Sequence, residues 1–257
     1  MNELFDLSDR IAVVTGGSGL YGRPMSTALA EAGAHVVVAS RDVAHCEQLA
    51  TEIRASGHKA SSAQLDVGDE GSIDMFKQHL ATTFGRVDVL VNGAVHRQGL
   101  DTPRTDSADW KATSHVNSLG LFLISKACIE LMLRRSAGSI INIASIYGVV
   151  GPDFPVYGST GMTSPAFYSY DKGGMIAFTR YLACEYGPKG IRVNSISPGG
   201  LLDEQPEEFV RNYTARTPLG RMATADDIKG AVVFLASDAS AFVTGVNLMV
   251  DGGWTAH

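Results

Sequence analysis

Two side chains four residues apart carry the strongest chemical signal in this sequence. Tyr168 and Lys172 fall within residues 167–186, a run with the pattern of a helix, so the phenol and the ammonium share one face about a turn apart. A free phenol has a pKa of about 10, and a fixed cation beside it stabilises the phenolate and favours proton exchange near neutral pH. The pair therefore predicts a tyrosine acid–base group, although a lone match of this spacing is as typical of a half-buried helix face.

The rest of the chain predicts the frame that would hold this pair. Short apolar runs alternate with amphipathic helical stretches, and the runs lie at residues 11–15, 35–39, 60–65, 87–92, 138–143, 191–196 and 247–250. Apolar strands separated by helices indicate a sheet that is covered on both faces. We therefore expect an α/β fold, a Rossmann-like, doubly wound and mostly parallel seven-stranded sheet in a three-layer α/β/α sandwich. Such a sheet binds ligands beyond the carboxyl ends of its strands, where the strand order reverses.

Length and charge narrow the classes of function. The 257 residues contain no repeat or linker, which predicts one domain over 1–257 with substrate loops at about 147–166 and 201–216. The net charge of -6 argues against nucleic acid or an anionic membrane as partner. We find no apolar run of membrane-spanning length and no signal peptide. Three scattered cysteines suit a reducing cytoplasm and lack zinc-like spacing, so no metal site is expected.

A glycine-rich turn between the first strand and the first helix predicts dinucleotide binding. In this context glycines let a pyrophosphate approach backbone N–H groups at the positive end of a helix. The residues of the turn that we expect to contact the cofactor are Gly16, Ser18, Gly19, Leu20, Tyr21 and Gly22.

The end of the second strand distinguishes the two nicotinamide dinucleotides. It reads Ser40-Arg41, and a hydroxyl with a guanidinium suits a ribose 2′-phosphate, whereas a carboxylate there would repel it. The sequence therefore favours NADP(H) over NAD(H). The alternative is a surface arginine that pairs with the neighbouring Asp42.

The motifs, taken in order, resemble the short-chain dehydrogenase/reductase family over nearly the whole chain. They are the glycine turn, Asp66, Asn92-Gly93-Ala94, Asn117, Ser145, Tyr168 with Lys172, Ser197-Pro198-Gly199 and Val250-Asp251-Gly252-Gly253. The resemblance implies an enzyme that interconverts a secondary alcohol and a ketone. In it, Tyr168 would exchange a proton with the substrate oxygen, and Ser145 would hydrogen-bond that oxygen. Lys172 would hold the nicotinamide ribose and lower the pKa of Tyr168, and Asn117 would hold a water that relays protons to Lys172.

The same resemblance implies the remaining cofactor contacts and an oligomer. The residues concerned are Asp66 and Val67 beside the adenine, Asn92, Gly93 and Ala94 after the fourth strand, and Pro198, Gly199 and Leu201 against the nicotinamide. Members of the family commonly form tetramers, so we expect a homotetramer or homodimer. Its contacts would come from helices at about 109–135 and 167–186 and from the last strand.

The stretch between Ser145 and Tyr168 is longer than in most of this family, and loops in that position flank the substrate. Its polar side chains, with the polar residues His96, Arg97 and Gln98 after the fourth strand, suggest a small polar substrate such as a sugar, sugar acid or polyol. The candidate substrate contacts are His96, Tyr147, Asp153, Tyr157 and Arg211, beside Ser159, Thr160 and Arg216. Charged loop residues usually face water, which is the alternative for each.

Two other functions stay open at this point. One is reduction of a 3-oxoacyl thioester, which would need an open apolar groove and a basic patch for the carrier. The other is a non-catalytic dinucleotide-sensing module, which the altered glycine turn (Leu20 in place of a middle glycine) and the altered stretch Asn92-Gly93-Ala94-Val95 motivate.

Overall fold

Seven strands form one sheet in the computed structural model, which describes residues 2–96 and 106–257. The strands are β1 Ile11–Thr15, β2 His35–Ser40, β3 Lys59–Gln64, β4 Val89–Asn92, β5 Gly138–Ile143, β6 Ile191–Pro198 and β7 Asn247–Val250. Their order is β3-β2-β1-β4-β5-β6-β7, and all six pairings are parallel. The order reverses between β1 and β4, which is where such a sheet opens a crevice for a ligand.

Helices cover both faces of the sheet. They are α1 Gly22–Glu31, α2 Val43–Ala55, α3 Glu70–Thr83, α4 Ser107–Ser114, α5 Leu121–Leu133, α6 Ala166–Tyr186, α7 Glu207–Arg216 and α8 Lys229–Ala236. Because successive strand residues point to opposite faces, the sheet contributes side chains to two apolar layers, one on each face. Val14 and Ile141 pack with α1 and α8, whereas Val13 and Ile140 pack with α3 and α5. The predicted doubly wound α/β/α sandwich is confirmed.

The helix predicted at about 109–135 differs from the observed one. It begins at Ser107, and a π-helical turn at His115–Gly120 separates α4 from α5. Apolar periodicity cannot report such a turn, because the side chains on both sides of it still face the core. Gly120 lies so close to the backbone carbonyl of Val67 that a Cβ would overlap its oxygen. The wider turn therefore sits where the chain presses against the end of β3, and π-turns of this kind are frequent at functional sites.

The continuous helical segment Ser107–Leu133 is long and apolar enough to cross a membrane by length and composition, contrary to the expectation that the chain has no such run. In its most apolar window 56% of the residues are buried within the protein. Residues such as Ile124, Leu131 and Met132 are buried in the layer between the sheet and the helices. Packing on the sheet accounts for the apolar composition of this helix.

The two stretches expected to be substrate loops contain short helices. Residues 201–216 include α7, which was not predicted, and residues 147–166 include the 3-10 turn Phe154–Tyr157. α7 turns the aromatic residues Phe209 and Tyr213 inward, where both are buried with Trp254. The segment after β6 is thus a packed element that covers the end of the sheet.

Candidate active site

A cavity of about 550 Å³ opens at the carboxyl ends of β1, β4, β5 and β6. It includes the point where the strand order reverses, as the fold requires. Of the residues singled out from the sequence, those that line it are Gly16, Gly19, Leu20, Tyr21, Gly22, Gly93, Ala94, Ser145, Tyr147, Tyr157, Tyr168, Lys172, Pro198, Gly199 and Leu201. The structure therefore brings most of the predicted cofactor turn and three of the four predicted catalytic side chains to one space.

Tyr168 and Lys172 project from the start of α6. The Lys172 side chain is buried, and its Nζ donates a hydrogen bond of 2.6 Å to the backbone carbonyl of Ile143 at the end of β5. That Nζ lies 5.8 Å from the centre of the Tyr168 ring. The ammonium is thus fixed near the phenol in a partly desolvated place, where its field is stronger than in water. Tyr168 also lies in the first turn of the helix, whose positive end favours a phenolate.

Ser145 stands two residues beyond β5 and begins a 3-10 turn. Its Oγ accepts a hydrogen bond of 3.2 Å from the backbone N–H of Tyr147, and the residue is 6% exposed. The turn lies directly against α6, because a Cβ on Gly148 would come within 2.7 Å of the Lys172 carbonyl carbon. A glycine is needed at 148 for this approach, which sets the serine hydroxyl on the same cavity wall as Tyr168.

Asn117 lies in the π-helical turn, behind the cavity wall. Its Oδ1 accepts a hydrogen bond of 2.8 Å from the backbone N–H of His96, and its Nδ2 is 3.5 Å from the carbonyl oxygen of the same residue. Nδ2 also donates to Oδ2 of Asp171 at 3.4 Å. Asn117 therefore joins the end of β4 to the helix that carries Tyr168 and Lys172.

The glycine turn, residues 16–22, forms a cradle that lines the cavity and packs closely against the residues after β4. Gly16 has a φ of +65°, and a Cβ there would lie 3.0 Å from the backbone of Ala94. The Thr15 hydroxyl accepts hydrogen bonds of 3.1 Å from the N–H groups of Gly93 and Ala94, which ties the ends of β1 and β4 together. Tyr21, the residue before α1, lines the cavity together with Gly22, the first residue of the helix, so the helix begins at the cavity wall.

A second pocket of about 130 Å³ continues from the cradle. Among its lining residues are Ser40, Arg41, Asp66, Val67 and His96. The two spaces share Gly16, Ala94 and Val95, so the cavity and the pocket adjoin at the glycine turn. The residues present therefore fit a nicotinamide dinucleotide.

Asp42, which could have neutralised Arg41, is engaged elsewhere. Its Oδ2 lies 2.8 Å from Nδ1 of His45, and its Oδ1 caps α2 by accepting from the backbone N–H of the same histidine. Within the described part of the chain, Arg41 is exposed and forms no ion pair. Its guanidinium is thus available at the rim of the small pocket.

Several predicted contacts lie away from the large cavity. Ser18 and Asn92 line neither space; the Asn92 amide donates instead to Ser125 Oγ at 3.1 Å and to Asn142 Oδ1 at 2.8 Å. His96 lines the small pocket and not the space beside Tyr168. Arg211 is exposed on α7 and lines neither space.

The polar side chains of the loop at 147–166 bind to α7 and to the loop's own backbone. Asp153 pairs with Arg216 at 2.9 Å, and the Ser159 hydroxyl donates to Glu208 at 2.6 Å. The Thr160 hydroxyl donates to the Tyr157 carbonyl at 2.6 Å. None of these three loop residues lines the cavity. The predicted Arg97 and Gln98 lie outside the described residues.

The outer wall of the cavity is aromatic, and it combines the predicted Tyr147 and Tyr157 with two residues that were not predicted. Tyr213 and Phe209, four residues apart on α7, line it together with Tyr147 and Tyr157. The Tyr157 hydroxyl donates to that of Tyr147 at 3.2 Å, and the Tyr213 hydroxyl accepts a hydrogen bond of 2.6 Å from the N–H of Gly200. Burial raises the pKa of Tyr213 to about 12 and also raises the pKa values of Tyr147 and Tyr157. These hydroxyls therefore remain protonated at neutral pH and can donate hydrogen bonds.

Comparisons with known proteins cover nearly the whole chain. A family model described as Enoyl-(Acyl carrier protein) reductase matches residues 21–255. The chain is 36% identical to cis-4-hydroxycyclohexanecarboxylate dehydrogenase of Sinomonas cyclohexanicum, with 100% of both chains covered. It is 33% identical to a 3-oxoacyl-(acyl-carrier-protein) reductase of Synechocystis sp., which covers 96% of this chain and 97% of the relative.

A solved structure extends the similarity to three dimensions. The crystal structure of a gluconate 5-dehydrogenase from Burkholderia cenocepacia, in complex with NADP and tartrate, superposes with a TM-score of 0.89 and 31% identity. It covers 100% of this chain and 99% of that one. The likeness therefore extends over the whole length of both chains.

Proposed function

Because this chain belongs to the short-chain dehydrogenase/reductase family, we propose that it interconverts a secondary alcohol and a ketone on a sugar, sugar acid or related polyol. The dehydrogenases named above are oxidoreductases that act on CH–OH groups. The observation that carries the proposal is the meeting of Tyr168, Ser145 and Lys172 on one cavity that joins a dinucleotide cradle. NADP(H) is the preferred cofactor in this proposal.

The chain's own residues handle the proton and the substrate oxygen. When bound, the nicotinamide supplies or accepts the hydride. Tyr168 gives its phenolic proton to the ketone oxygen in reduction and takes the alcohol proton in oxidation. Ser145 donates a hydrogen bond to the same oxygen and fixes it beside the phenol. Lys172 holds the nicotinamide ribose and favours the phenolate, which lets Tyr168 act near neutral pH.

The outer wall of the cavity supports a hydroxyl-bearing substrate with an apolar face. The hydroxyls of Tyr147, Tyr157 and Ser164 lie among Phe209, Met162 and Met222. Hydroxyl groups satisfy substrate hydroxyls in either direction, and the rings and thioethers cover C–H surface. The two relatives named above for a hydroxylated ring acid and for gluconate agree with this class.

Turnover by the purified protein tests the proposal. Oxidation of a panel of polyols, cyclic secondary alcohols and sugar acids would be followed by NADPH absorbance, with NAD as a second cofactor. We expect at least one hydroxylated substrate to be oxidised with a kcat of about 1 s⁻¹ or more, an ordinary value for an enzyme. Reduction of a 3-oxoacyl thioester in preference to every member of the panel would favour the second candidate, which the Synechocystis relative supports. Tight NADPH binding without turnover in any arm would favour a dinucleotide sensor.

Replacement of Arg41 by alanine tests the cofactor preference. We expect the KM for NADP to rise by about 10- to 100-fold. The reason is that the ribose 2′-phosphate of NADP loses a charge-assisted hydrogen bond worth about 1.5–3 kcal/mol. The KM for NAD should change by less than about threefold, since NAD has no 2′-phosphate. Steady-state kinetics with both cofactors provide the measurement. Equal losses for the two would contradict the assignment of Arg41 to the phosphate.

We also propose that the protein self-associates through the outer face of α5 and α6. Phe122 is 46% exposed there, and Tyr170 and Tyr181 are 66% and 62% exposed. Phe122 and Tyr181 both contact Phe178, which makes the apolar surface continuous across the two helices. Exposed patches of this kind mark interfaces. Light scattering that gave the mass of a single chain would contradict this proposal.

A further inference from the structure

A buried carboxylate lies directly behind the proposed catalytic residues. Asp171, between Tyr168 and Lys172 on α6, is 4% exposed. Its two oxygens accept hydrogen bonds from neighbouring residues of the π-helical turn, Oδ1 from Ser118 Oγ at 3.1 Å and Oδ2 from Asn117 Nδ2 at 3.4 Å. Burial is the largest influence and raises the pKa of Asp171 above its usual value, although these two hydrogen bonds and the charge of Lys172 act in the opposite direction. A charged group held at this cost in a protein interior usually has a structural or functional role.

The N–H of His96 and the Asp171 carboxylate together favour one orientation of the Asn117 amide. An amide can present its oxygen or its NH₂ group to a given neighbour, and the two orientations have almost the same shape. At one side of Asn117 is the N–H of His96, which needs the oxygen. At the other is the Asp171 carboxylate, which can only accept and so needs the NH₂ group. Both neighbours favour the same orientation, and the alternative would place oxygen against oxygen and N–H against N–H.

This contact also connects two elements that must keep their relative positions. The π-helical turn carries Asn117 and Ser118, whereas α6 carries Tyr168 and Lys172. Asp171 accepts one hydrogen bond from each of the two residues of the turn, so its two oxygens hold the turn at a fixed height along α6. A side chain that accepts only one hydrogen bond could not fix both.

We propose that Asp171 is a positioning residue, which orients the Asn117 amide and fixes the π-helical turn against α6 so that protons reach Lys172 and Tyr168. The inference rests on the proposed function, because it assigns to Asn117 a part in proton relay. Asp171 lines neither the cavity nor the small pocket, so it lies outside the space proposed for substrate and cofactor. Its effect is therefore on the rate of proton exchange and not on binding.

The isosteric variant Asp171→Asn tests the inference. An asparagine at 171 has no charge and can offer either its oxygen or its NH₂ group, so only the N–H of His96 still favours one orientation of Asn117. We expect kcat to fall by about tenfold or more while the Kd for NADPH, measured by fluorescence, stays within about threefold of wild type. A purely packing role would not produce this separation of kcat from Kd. A kcat within about twofold of wild type would overturn the inference.

A reciprocal exchange provides a second test that does not depend on the stability of the single variant. In Asn117→Asp combined with Asp171→Asn, the carboxylate at 117 can accept from His96 N–H and from the new amide at 171. The new amide oxygen can still accept from Ser118. We expect the double variant to exceed the kcat of each single variant by about threefold or more. A double variant that folds but is no more active than either single one would overturn the proposal.

The controls separate this inference from the proposed function. Glu185→Gln removes the other carboxylate of α6, which lies 14 residues further along the helix, and should leave kcat within about twofold of wild type. Wild-type protein without turnover on any substrate would refute the proposed function itself. Active wild type with an equally active Asp171→Asn variant would refute the positioning role alone.

Discussion

Tyr168→Phe is expected to lower kcat by about 10³-fold, within the range that general acid–base catalysis contributes. The change removes one oxygen and leaves the ring in place, so the fixed Lys172 ammonium no longer has a phenol to act on. NADPH should bind about as tightly as before, because the cradle of Gly16 and Gly22 and the Arg41 rim are untouched. Single-turnover rates and NADPH fluorescence titration measure the two quantities separately.

Tyr170→Phe is the matched control for this prediction. It removes the same oxygen two residues away on the same helix, where the side chain is 66% exposed. Because the change keeps the ring that we assign to the self-association surface, and because Tyr170 lines neither the cavity nor the small pocket, we expect kcat within about twofold of wild type. If Tyr168→Phe retained more than about a tenth of the wild-type rate, Tyr168 would not be the main proton donor.

The strands and the chemical motifs could be predicted because each depends on local information. The bounds of β1, β5 and β7 agree with the predicted ones, because turn-forming residues flank each of these short runs at both ends. The spacing of Tyr168 and Lys172 needs only the helical repeat to place both on one face. The glycine turn likewise predicts dinucleotide binding because a strand precedes it and a helix follows it.

The parts that could not be predicted depend on contacts between distant segments. The π-helical turn at Asn117 lies where Gly120 packs against the backbone of Val67, which is 53 residues earlier in the chain. The polar residues of 147–166 suggested substrate contacts, but Asp153 and Ser159 bind Arg216 and Glu208 of α7 instead. A polar side chain in a loop has the same sequence signature whether it faces a ligand or another element of the same protein.

The aromatic wall is the clearest case of a signal that was present and missed. Phe209 and Tyr213 stand four residues apart, the spacing of one helix face, and both are buried. Read as a helix, residues 207–216 would have placed these rings inward and Arg211 outward. Asp171 gave no such signal, since an acid between Tyr168 and Lys172 shows its burial and its two partners only in the folded protein.

Gly22→Ala is the second change with a large expected effect, and it acts on binding. A Cβ at Gly22 would overlap the carbonyl oxygen of Gly16 and would lie 2.8 Å from Cα of Gly17, so the glycine turn must move away from the start of α1. Overpacking of this kind typically costs about 1–3 kcal/mol. We expect this cost to fall on the cradle and to raise the Kd for NADPH by about 5- to 150-fold, because each 1.4 kcal/mol is about tenfold.

Gly22→Ala and Tyr168→Phe should therefore fail in opposite ways, the first in NADPH binding and the second in turnover. This separation would assign cofactor binding and proton transfer to different elements of the fold. With saturating NADPH, Gly22→Ala should keep kcat within about tenfold of wild type, since Tyr168, Ser145 and Lys172 belong to α6 and the end of β5.

Gly230→Ala makes the same substitution within α8, where a Cβ would meet nothing within 4 Å. That control should bind NADPH normally and raise the free energy of unfolding by about 0.5–1 kcal/mol through helix propensity. A Gly22→Ala protein that bound NADPH like this control would show that the turn can shift without loss, and the cradle would then not be the site of the pyrophosphate.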